Sequence, residues 1–143
     1  MRTDAGWYVS QERYPVLWIG QVAVVTLPAE IDVTNAHTAQ EELLAALNAG
    51  AALLVADMRK TKFCDSAGVS ALVRAFRRAA ARGSAMRLAV GTPAVQRVLS
   101  ITGVDRLIET YPSVAASLTG PYGPPGERGE RDRAQPAGAD ADG

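Results

Sequence analysis

Residues 53–83 read LLVADMRKTKFCDSAGVSALVRAFRRAAARG, which joins a short apolar run, a polar loop and a long amphipathic pattern. The run 53–56 stops at the polar Asp57, as expected of a buried strand. Over residues 66–82 the apolar side chains recur at helical spacing, which predicts a helix with one buried face, and Gly83 is its stop signal. The stretch therefore predicts a strand, a loop and a helix in succession, the repeating unit of α/β proteins.

The same alternation of strands and helices continues on both sides of this stretch. Short β-branched or apolar runs predict strands, and longer segments with one apolar face predict helices. The predicted strands are residues 22–27, 87–90 and 107–110, the predicted helices are 36–48, 92–103 and 113–118, and the extended segments 7–9 and 16–19 could pair as a hairpin. Because helices between strands require crossovers, the predicted fold class is α/β, with a mixed, mostly parallel sheet of about five strands and surrounding helices.

Composition divides the 143 residues into one folded unit and two ends. From Gly120 onward glycine, proline and charged residues alternate, so residues 120–143 cannot bury enough apolar surface to order themselves and are expected to form a disordered tail. Residues 1–6 are expected to be a flexible N-terminus. The predicted domain covers residues 7–119, a usual size for one domain.

Charge and residue usage exclude several classes of function. Lys+Arg and Asp+Glu both total 15, so the chain lacks the broad positive field that draws proteins to nucleic acids. The apolar runs are far shorter than the roughly 20 residues of a membrane-spanning helix, and the first residues do not resemble a signal peptide. With one cysteine and one histidine, an intramolecular disulfide is excluded and neither a closed zinc site nor another cofactor is expected. We expect a cytoplasmic protein.

The sequence contains few features that indicate an enzyme. It contains no GxSxG, GxxxxGK[ST] or HExxH motif and no GxGxxG after a strand. The neighbouring carboxylates Glu41 and Glu42 fall on a helix face that is expected to be exposed. One catalytic alternative stays open, a small hydrolase in which Ser66 or Cys64 acts with His37. It requires the imidazole to lie within about 4 Å of the nucleophile.

The junction between the polar loop and the long helix carries Asp65 and Ser66. Both are good N-cap residues, because a short side-chain oxygen can accept a hydrogen bond from a free amide of the first turn. A serine at this position also lies in the positive field of the helix N-terminus, where phosphorylation would add about 1.5 to 2 negative charges. Capping and a phosphorylation switch are therefore both compatible with the pair.

The junction and its surroundings resemble a known family. The segment Phe63-Cys-Asp-Ser-Ala-Gly68, followed by apolar residues at helical spacing, is similar to the signature of STAS domains, in particular the bacterial anti-sigma factor antagonists. Further similarities are an acidic loop Glu30-Ile-Asp32, Asp57 after a strand, and the segment TPAVQRVLSITGV at residues 92–104. The resemblance extends over residues 22–118.

This resemblance implies a non-enzymatic regulator without a cofactor. In the family, the serine that matches Ser66 is phosphorylated by an anti-sigma factor that is also a serine kinase. The unphosphorylated form binds that kinase and releases a sigma factor, and a PP2C-type phosphatase restores it. By position, the partner-binding surface would comprise Asp32, Asp57, Asp65, Ser66 and Gly68, with Gly68 allowing close approach of the partner. A STAS scaffold or transporter-associated subunit, in which Ser66 is only a cap, is the alternative.

Three further features have less decisive interpretations. Arg74, Arg77, Arg78 and Arg82 form a basic edge on the long helix, which is either a solvated face or a contact for an acidic patch on a partner or on a second copy in a homodimer. Cys64 is expected to pack as a small hydrophobic residue. Thr61, in the polar loop, is a weak candidate for a second phosphorylation site.

Overall fold

The computed structural model describes residues 14–120. The expectations of a flexible segment at residues 1–6, of a strand at 7–9 and of a disordered tail beyond Gly120 lie outside the described residues. The remaining predictions concern segments that the structure describes.

The described part of the chain contains seven strands and five helices. The strands are β1 (Val16–Ile19), β2 (Val22–Thr26), β3 (Glu30–Ile31), β4 (Leu53–Met58), β5 (Phe63–Cys64), β6 (Ala85–Val90) and β7 (Glu109–Tyr111). The helices are α1 (Ala36–Asn48), α2 (Ser66–Ala81), α3 (Pro93–Thr102), α4 (Val104–Leu107) and α5 (Val114–Ser117).

Five strands form one sheet in the order β1-β2-β4-β6-β7. β1 and β2 are antiparallel because a two-residue turn joins them, with Gly20 at a φ of 60°. The other neighbours are parallel, as helical crossovers require. The predicted α/β class and the mixed five-stranded sheet are therefore confirmed.

The two faces of the sheet are covered differently. Along β2, Ala23 and Val25 face the main core, and Val22 and Val24 face the opposite side, as strand geometry dictates. Helices α1 and α2 pack against each other on the main-core side, where Leu43, Leu47, Leu72 and Ala75 are buried. The short helix α5 covers the opposite side with Val114 and Leu118. Burial of these faces supplies most of the driving force for folding.

Three local predictions from the sequence were wrong. The strand predicted from Leu107 begins only at Glu109, because Gly103, at a φ of 82°, ends α3 and a helical turn follows directly. The two-residue strands β3 and β5 pair in parallel where the sequence predicted loops. Glu42 is only 9% exposed, because its side of α1 faces β1, where it lines a groove with Trp18.

Candidate functional site

The site forms at the carboxyl ends of β2 and β4. Each of these strands is followed along the chain by a two-residue strand, β3 or β5, and these two pair to form a small second sheet. The amide of Leu27 donates to the carbonyl of Asp57 at 2.9 Å, which holds the two strand ends together. In the small sheet, Ile31 pairs with Cys64, and the amide of Asp65 donates to the carbonyl of Ile31 at 3.1 Å. Asp32 and Asp65 therefore follow neighbouring strands, and the first acidic loop meets the start of α2.

Ser66 is the first residue of α2, and it is exposed. Asp65 is the N-cap: its Oδ1 accepts hydrogen bonds from the amides of Ala67 at 2.9 Å and Gly68 at 3.1 Å. Within residues 14–120 the Ser66 hydroxyl makes no hydrogen bond. The first turn of α2 also carries no acidic residue. Capping therefore belongs to Asp65, and the hydroxyl of Ser66 points into solvent beside the positive end of the helix.

Asp32 lies in a tight turn in front of α1. Its Oδ1 accepts hydrogen bonds from both the hydroxyl and the amide of Thr34, and these bonds lower the pKa of the exposed carboxyl below its ordinary value. Its own amide donates to Asn35 Oδ1 at 2.9 Å, and Asn35 Nδ2 donates to the carbonyl of Glu30 at 2.8 Å. These bonds fix a negative charge on the turn next to α2.

Asp57 does not lie on the surface, contrary to the expectation that it faces a partner. It is 4% exposed, and its two carboxylate oxygens accept hydrogen bonds from Nε and Nη2 of Arg59, both at 2.8 Å. Burial raises the pKa of Asp57, but the hydrogen bonds and the charge of Arg59 lower it by more. The pKa of Asp57 therefore lies below its ordinary value. The half-exposed Arg59 is therefore the group of this pair that a partner could touch.

Gly68 also differs from the expectation. It is buried, and an ideal Cβ at this position would lie 2.6 Å from Cys64 Sγ and 2.9 Å from Ile31 Cγ2. The absence of a side chain thus lets α2 approach the small sheet, which is an internal reason for a glycine. A close approach of a partner to the backbone at Gly68 is not required to explain it.

Two exposed apolar residues beside the site were not singled out from the sequence. Val33, which follows Asp32, is 78% exposed, and Phe63, which pairs with Glu30 in the small sheet, is 51% exposed. Large apolar side chains that remain exposed next to a functional loop are typical of contact residues in interfaces. The signal available in the sequence was an apolar residue within two positions of an acid, with Val33 directly after Asp32 and Phe63 two positions before Asp65.

The geometry opposes the hydrolase alternative. His37 has an exposed side chain, and within residues 14–120 its ring is found against Glu41, one turn further along α1, with 3.8 Å between Nε2 and Oε2. Cys64 is buried, and burial, assisted by the charge of Asp65, raises the pKa of its thiol to about 11. A buried neutral thiol packs as a hydrophobic residue, as the sequence predicted.

Thr61 is not an accessible phosphorylation site. Its side chain is fully buried, and its hydroxyl donates to the carbonyl of Pro28 at 2.8 Å. The carbonyl of Thr61 in turn accepts a hydrogen bond from the hydroxyl of Thr92 at 3.1 Å. Thr61 therefore ties the polar loop to its neighbours.

Residues 14–120 contain neither a metal-binding cluster nor a membrane-spanning helix. Across residues 14–120, no group of three or more His, Cys, Asp or Glu side chains could hold a metal ion. None of the helices described there has the length and apolar character needed to cross a membrane.

Several solved structures share the fold. An anti-sigma factor antagonist from Mycobacterium paratuberculosis has a TM-score of 0.68 at 24% identity, over 73% of this chain and 89% of that one. The anti-sigma factor antagonist SpoIIAA in its unphosphorylated form has a TM-score of 0.59 at 17% identity, over 87% and 99% of the two chains. The phosphorylated form of SpoIIAA from Bacillus has a TM-score of 0.56 at 16% identity, over 72% and 95%.

A transporter contains a similar domain. Murine solute carrier 26 family member A9, an anion transporter, has a TM-score of 0.58 at 21% identity, over 69% of this chain and 17% of the transporter. Among curated proteins, none matches the chain by sequence. The sequence model of the STAS domain matches residues 15–117, which include every strand and helix described above. The chain belongs to the STAS domain family.

Proposed function

We propose that this protein is an anti-sigma factor antagonist that is switched by phosphorylation of Ser66. In its unphosphorylated form it binds an anti-sigma factor that is also a serine kinase, and the bound sigma factor is released for transcription. Phosphorylation ends this binding, and a PP2C-type phosphatase reverses it. The protein acts in the cytoplasm, needs no cofactor and does not contact nucleic acid.

The observation that carries this proposal is the exposed hydroxyl of Ser66 at the start of α2, which makes no hydrogen bond to the residues that the structure describes. Because Asp65 already caps the helix, modification of Ser66 removes no hydrogen bond on which the fold depends. In the reaction, the bond between the β,γ-bridging oxygen and the γ-phosphorus of ATP breaks, a bond from that phosphorus to Oγ of Ser66 forms, and the hydroxyl proton leaves. The kinase supplies the ATP site.

The surroundings of Ser66 explain how a phosphate would change binding. The new charge of about −1.5 to −2 would lie near the carboxylates of Asp32 and Asp65. It would also adjoin the exposed apolar side chains of Val33 and Phe63. A partner that buries those apolar side chains would have to strip water from the phosphate, which is costly for a charge without a countercharge. Binding would therefore be lost while the domain stays folded.

Substitution of Ser66 tests the switch against a matched control on another helix. Ser100 is also exposed and lies on α3. We expect Ser66→Ala to bind the kinase about as tightly as the wild type and Ser66→Asp to bind at least tenfold more weakly in isothermal titration calorimetry. Ser100→Ala and Ser100→Asp should both bind like the wild type. Undiminished binding of Ser66→Asp would overturn the switch.

A second candidate function is that of a STAS scaffold or transporter-associated subunit. The similarity to the domain of the murine anion transporter favours it. In this alternative Ser66 is never modified. Mass spectrometry of the protein after incubation with the serine kinases of the native organism and ATP separates the two, because only the antagonist acquires phosphate on Ser66.

A further inference from the structure

Helix α2 and its C-cap carry four arginines, Arg74, Arg77, Arg78 and Arg82, which we call the arginine stripe. All four are exposed. No acidic residue occurs between Asp65 and Asp105, so neither α2 nor the residues 82–104 that follow it offset this charge locally. The stripe is a concentrated positive surface on a chain whose formal net charge is zero.

The stripe arginines differ from two other arginines of the same domain. Arg59 pairs with Asp57 at 2.8 Å, and Arg87 pairs with Glu109 at 2.9 Å. In the part of the chain that the structure describes, none of the four stripe arginines forms an ion pair, and Arg78 makes only a long hydrogen bond of 3.5 Å to Asn48 Oδ1. The fold itself makes little use of these charges.

The spacing of the stripe makes it unfavourable to the isolated helix. Arg74 and Arg78, like Arg78 and Arg82, are four residues apart, and Arg74 and Arg77 are three apart. Like charges at these spacings face each other on a helix and destabilise it. The negative end of the helix dipole offsets part of this repulsion at Arg78, in the last turn, and at Arg82, the C-cap. Arg74 and Arg77 form no ion pair within residues 14–120, and they point to a ligand outside the domain.

The stripe continues the surface that begins at Ser66. At 3.6 residues per turn, Ser66, Ser70, Arg74 and Arg77 lie within about 80° of one another around α2. Along the axis, Arg74 and Arg77 lie about 12 and 17 Å from Ser66, at roughly 1.5 Å per residue. An interface of standard size covers about 800 Å² per partner, which corresponds to a disc of about 16 Å radius. A partner centred on Ser66 therefore covers Arg74 and ends about 1 Å short of the axial position of Arg77, whose long side chain tilts toward the N-terminus of the helix and so toward Ser66.

We propose that the arginine stripe is a docking surface for an acidic face of the kinase that phosphorylates Ser66. This inference rests on the proposed function and specifies the chemistry of the partner. The acidic face would lie about 12 to 17 Å from the catalytic site of the kinase, the separation of Arg74 and Arg77 from Ser66 along α2. Arginine suits this role because its guanidinium always carries a positive charge at physiological pH, and a lysine in its place keeps that charge.

The test compares single charge changes in the full-length protein. Arg77→Glu reverses a charge of the stripe, Arg77→Lys keeps it, and Arg106→Glu reverses an exposed charge on α4 as the matched control. Each variant is phosphorylated with ATP by the anti-sigma factor serine kinases of the native organism, tested one by one. Initial rates measured over a range of concentrations of the variant give KM and kcat separately, at 50 and at 300 mM NaCl.

We expect Arg77→Glu to raise KM at least fivefold at 50 mM NaCl without changing kcat, and the effect to shrink at 300 mM as salt screens the charges. Arg77→Lys and Arg106→Glu should keep KM within twofold of the wild type. If the wild type is phosphorylated normally on Ser66 and the KM of Arg77→Glu is unchanged, this inference is overturned and the proposed function still stands. A wild type that acquires no phosphate on Ser66 would overturn the proposed function, and this inference with it.

A stripe of arginines could also bind a nucleic acid, and a separate binding experiment tests this alternative. Fluorescence anisotropy with a labelled DNA duplex at 150 mM NaCl should show no binding by the wild type. Duplex binding that Arg77→Glu abolishes and Arg106→Glu retains would contradict the assignment of the stripe to an acidic protein surface.

Discussion

The Sγ atom of Cys64 occupies the space into which a side chain at Gly68 would project, since an ideal Cβ there would lie only 2.6 Å away. The contact joins the last residue of β5 to the first turn of α2. It brings the helix start close to the small sheet, and with it the exposed Ser66. Internal packing thus sets the position of a surface hydroxyl.

Gly68→Ala is expected to destabilise the domain by about 1 to 3 kcal/mol, because the new methyl group overpacks a filled space. Helix propensity alone would favour alanine by up to about 1 kcal/mol, so the two effects have opposite signs. Urea unfolding followed by circular dichroism measures the difference. A variant as stable as the wild type would show that the helix can shift at no cost.

Removal of the clashing sulfur provides the control for this prediction. In a double-mutant cycle, Gly68→Ala should cost less in a Cys64→Ala background than in the wild type, since the methyl group then enters vacated space. Ser70→Ala, on the exposed side of the same helix, should change stability by no more than about 0.5 kcal/mol. Additive effects of the two core substitutions would contradict a direct contact.

Asp65→Ala is expected to lower the free energy of unfolding by about 1 kcal/mol, because it removes the acceptor for the amides of Ala67 and Gly68. Asp65→Asn should retain most of the stability, because its amide oxygen can still cap the helix. Ser66→Ala should be nearly neutral. If Ser66→Ala instead lost as much as Asp65→Ala in thermal unfolding, the serine would be part of the cap.

The elements around the site differ in how far the sequence predicts them. The start of α2 at Ser66 was predicted correctly, and the cap Asp65 is one of the two residues that the sequence offered for it, because apolar spacing and cap chemistry are local properties of the chain. The pairing of β3 with β5 was not, because a two-residue strand is too short to show an alternating pattern. Pairings of this kind depend on the arrangement of distant segments.

The side-chain environments of Asp57 and Gly68 also depend on tertiary structure. Asp57 follows a buried strand run, and an acid at that point is equally compatible with a surface loop. The carboxylate of Asp57 can be buried because the side chain of Arg59 turns back over it and donates two hydrogen bonds to it. Gly68 is adjacent to the candidate phosphorylation site in sequence, but it faces inward because α2 packs against Ile31 and Cys64. Proximity in sequence to Ser66 was therefore a poor guide to which residues a partner can touch.

The ion pair of Asp57 and Arg59 predicts a specific pH dependence of stability. The pKa of Asp57 in the folded protein lies below its ordinary value of 3.8, so the pair stabilises the fold above about pH 4 and this contribution is lost as the pH falls through the lowered pKa. Asp57→Asn should be less stable than the wild type by about 1 to 3 kcal/mol near pH 6. The gap should narrow below about pH 4.

Urea unfolding of both proteins between about pH 6 and pH 2.5 measures this gap. Because the other carboxyl groups, Asp32 included, are common to the wild type and the variant, their titration cancels in the difference. A gap that stays constant over the whole range would mean that the charge of Asp57 contributes nothing beyond the shape of its side chain.

Cys64 is expected to resist alkylation in the folded protein. Its thiol is buried and its pKa is raised to about 11, so near pH 8 the reactive thiolate amounts to about one part in a thousand and is shielded from reagents. Iodoacetamide should therefore react at least a hundredfold more slowly with the native protein than with the protein in guanidinium chloride. The chain contains a single cysteine, so any adduct detected by mass spectrometry reports on this residue alone.

Increasing urea should accelerate the reaction in parallel with global unfolding, because the thiol becomes accessible when α2 leaves the small sheet. Rapid alkylation of the native protein at neutral pH would instead reveal an activated thiolate and revive a catalytic role for Cys64.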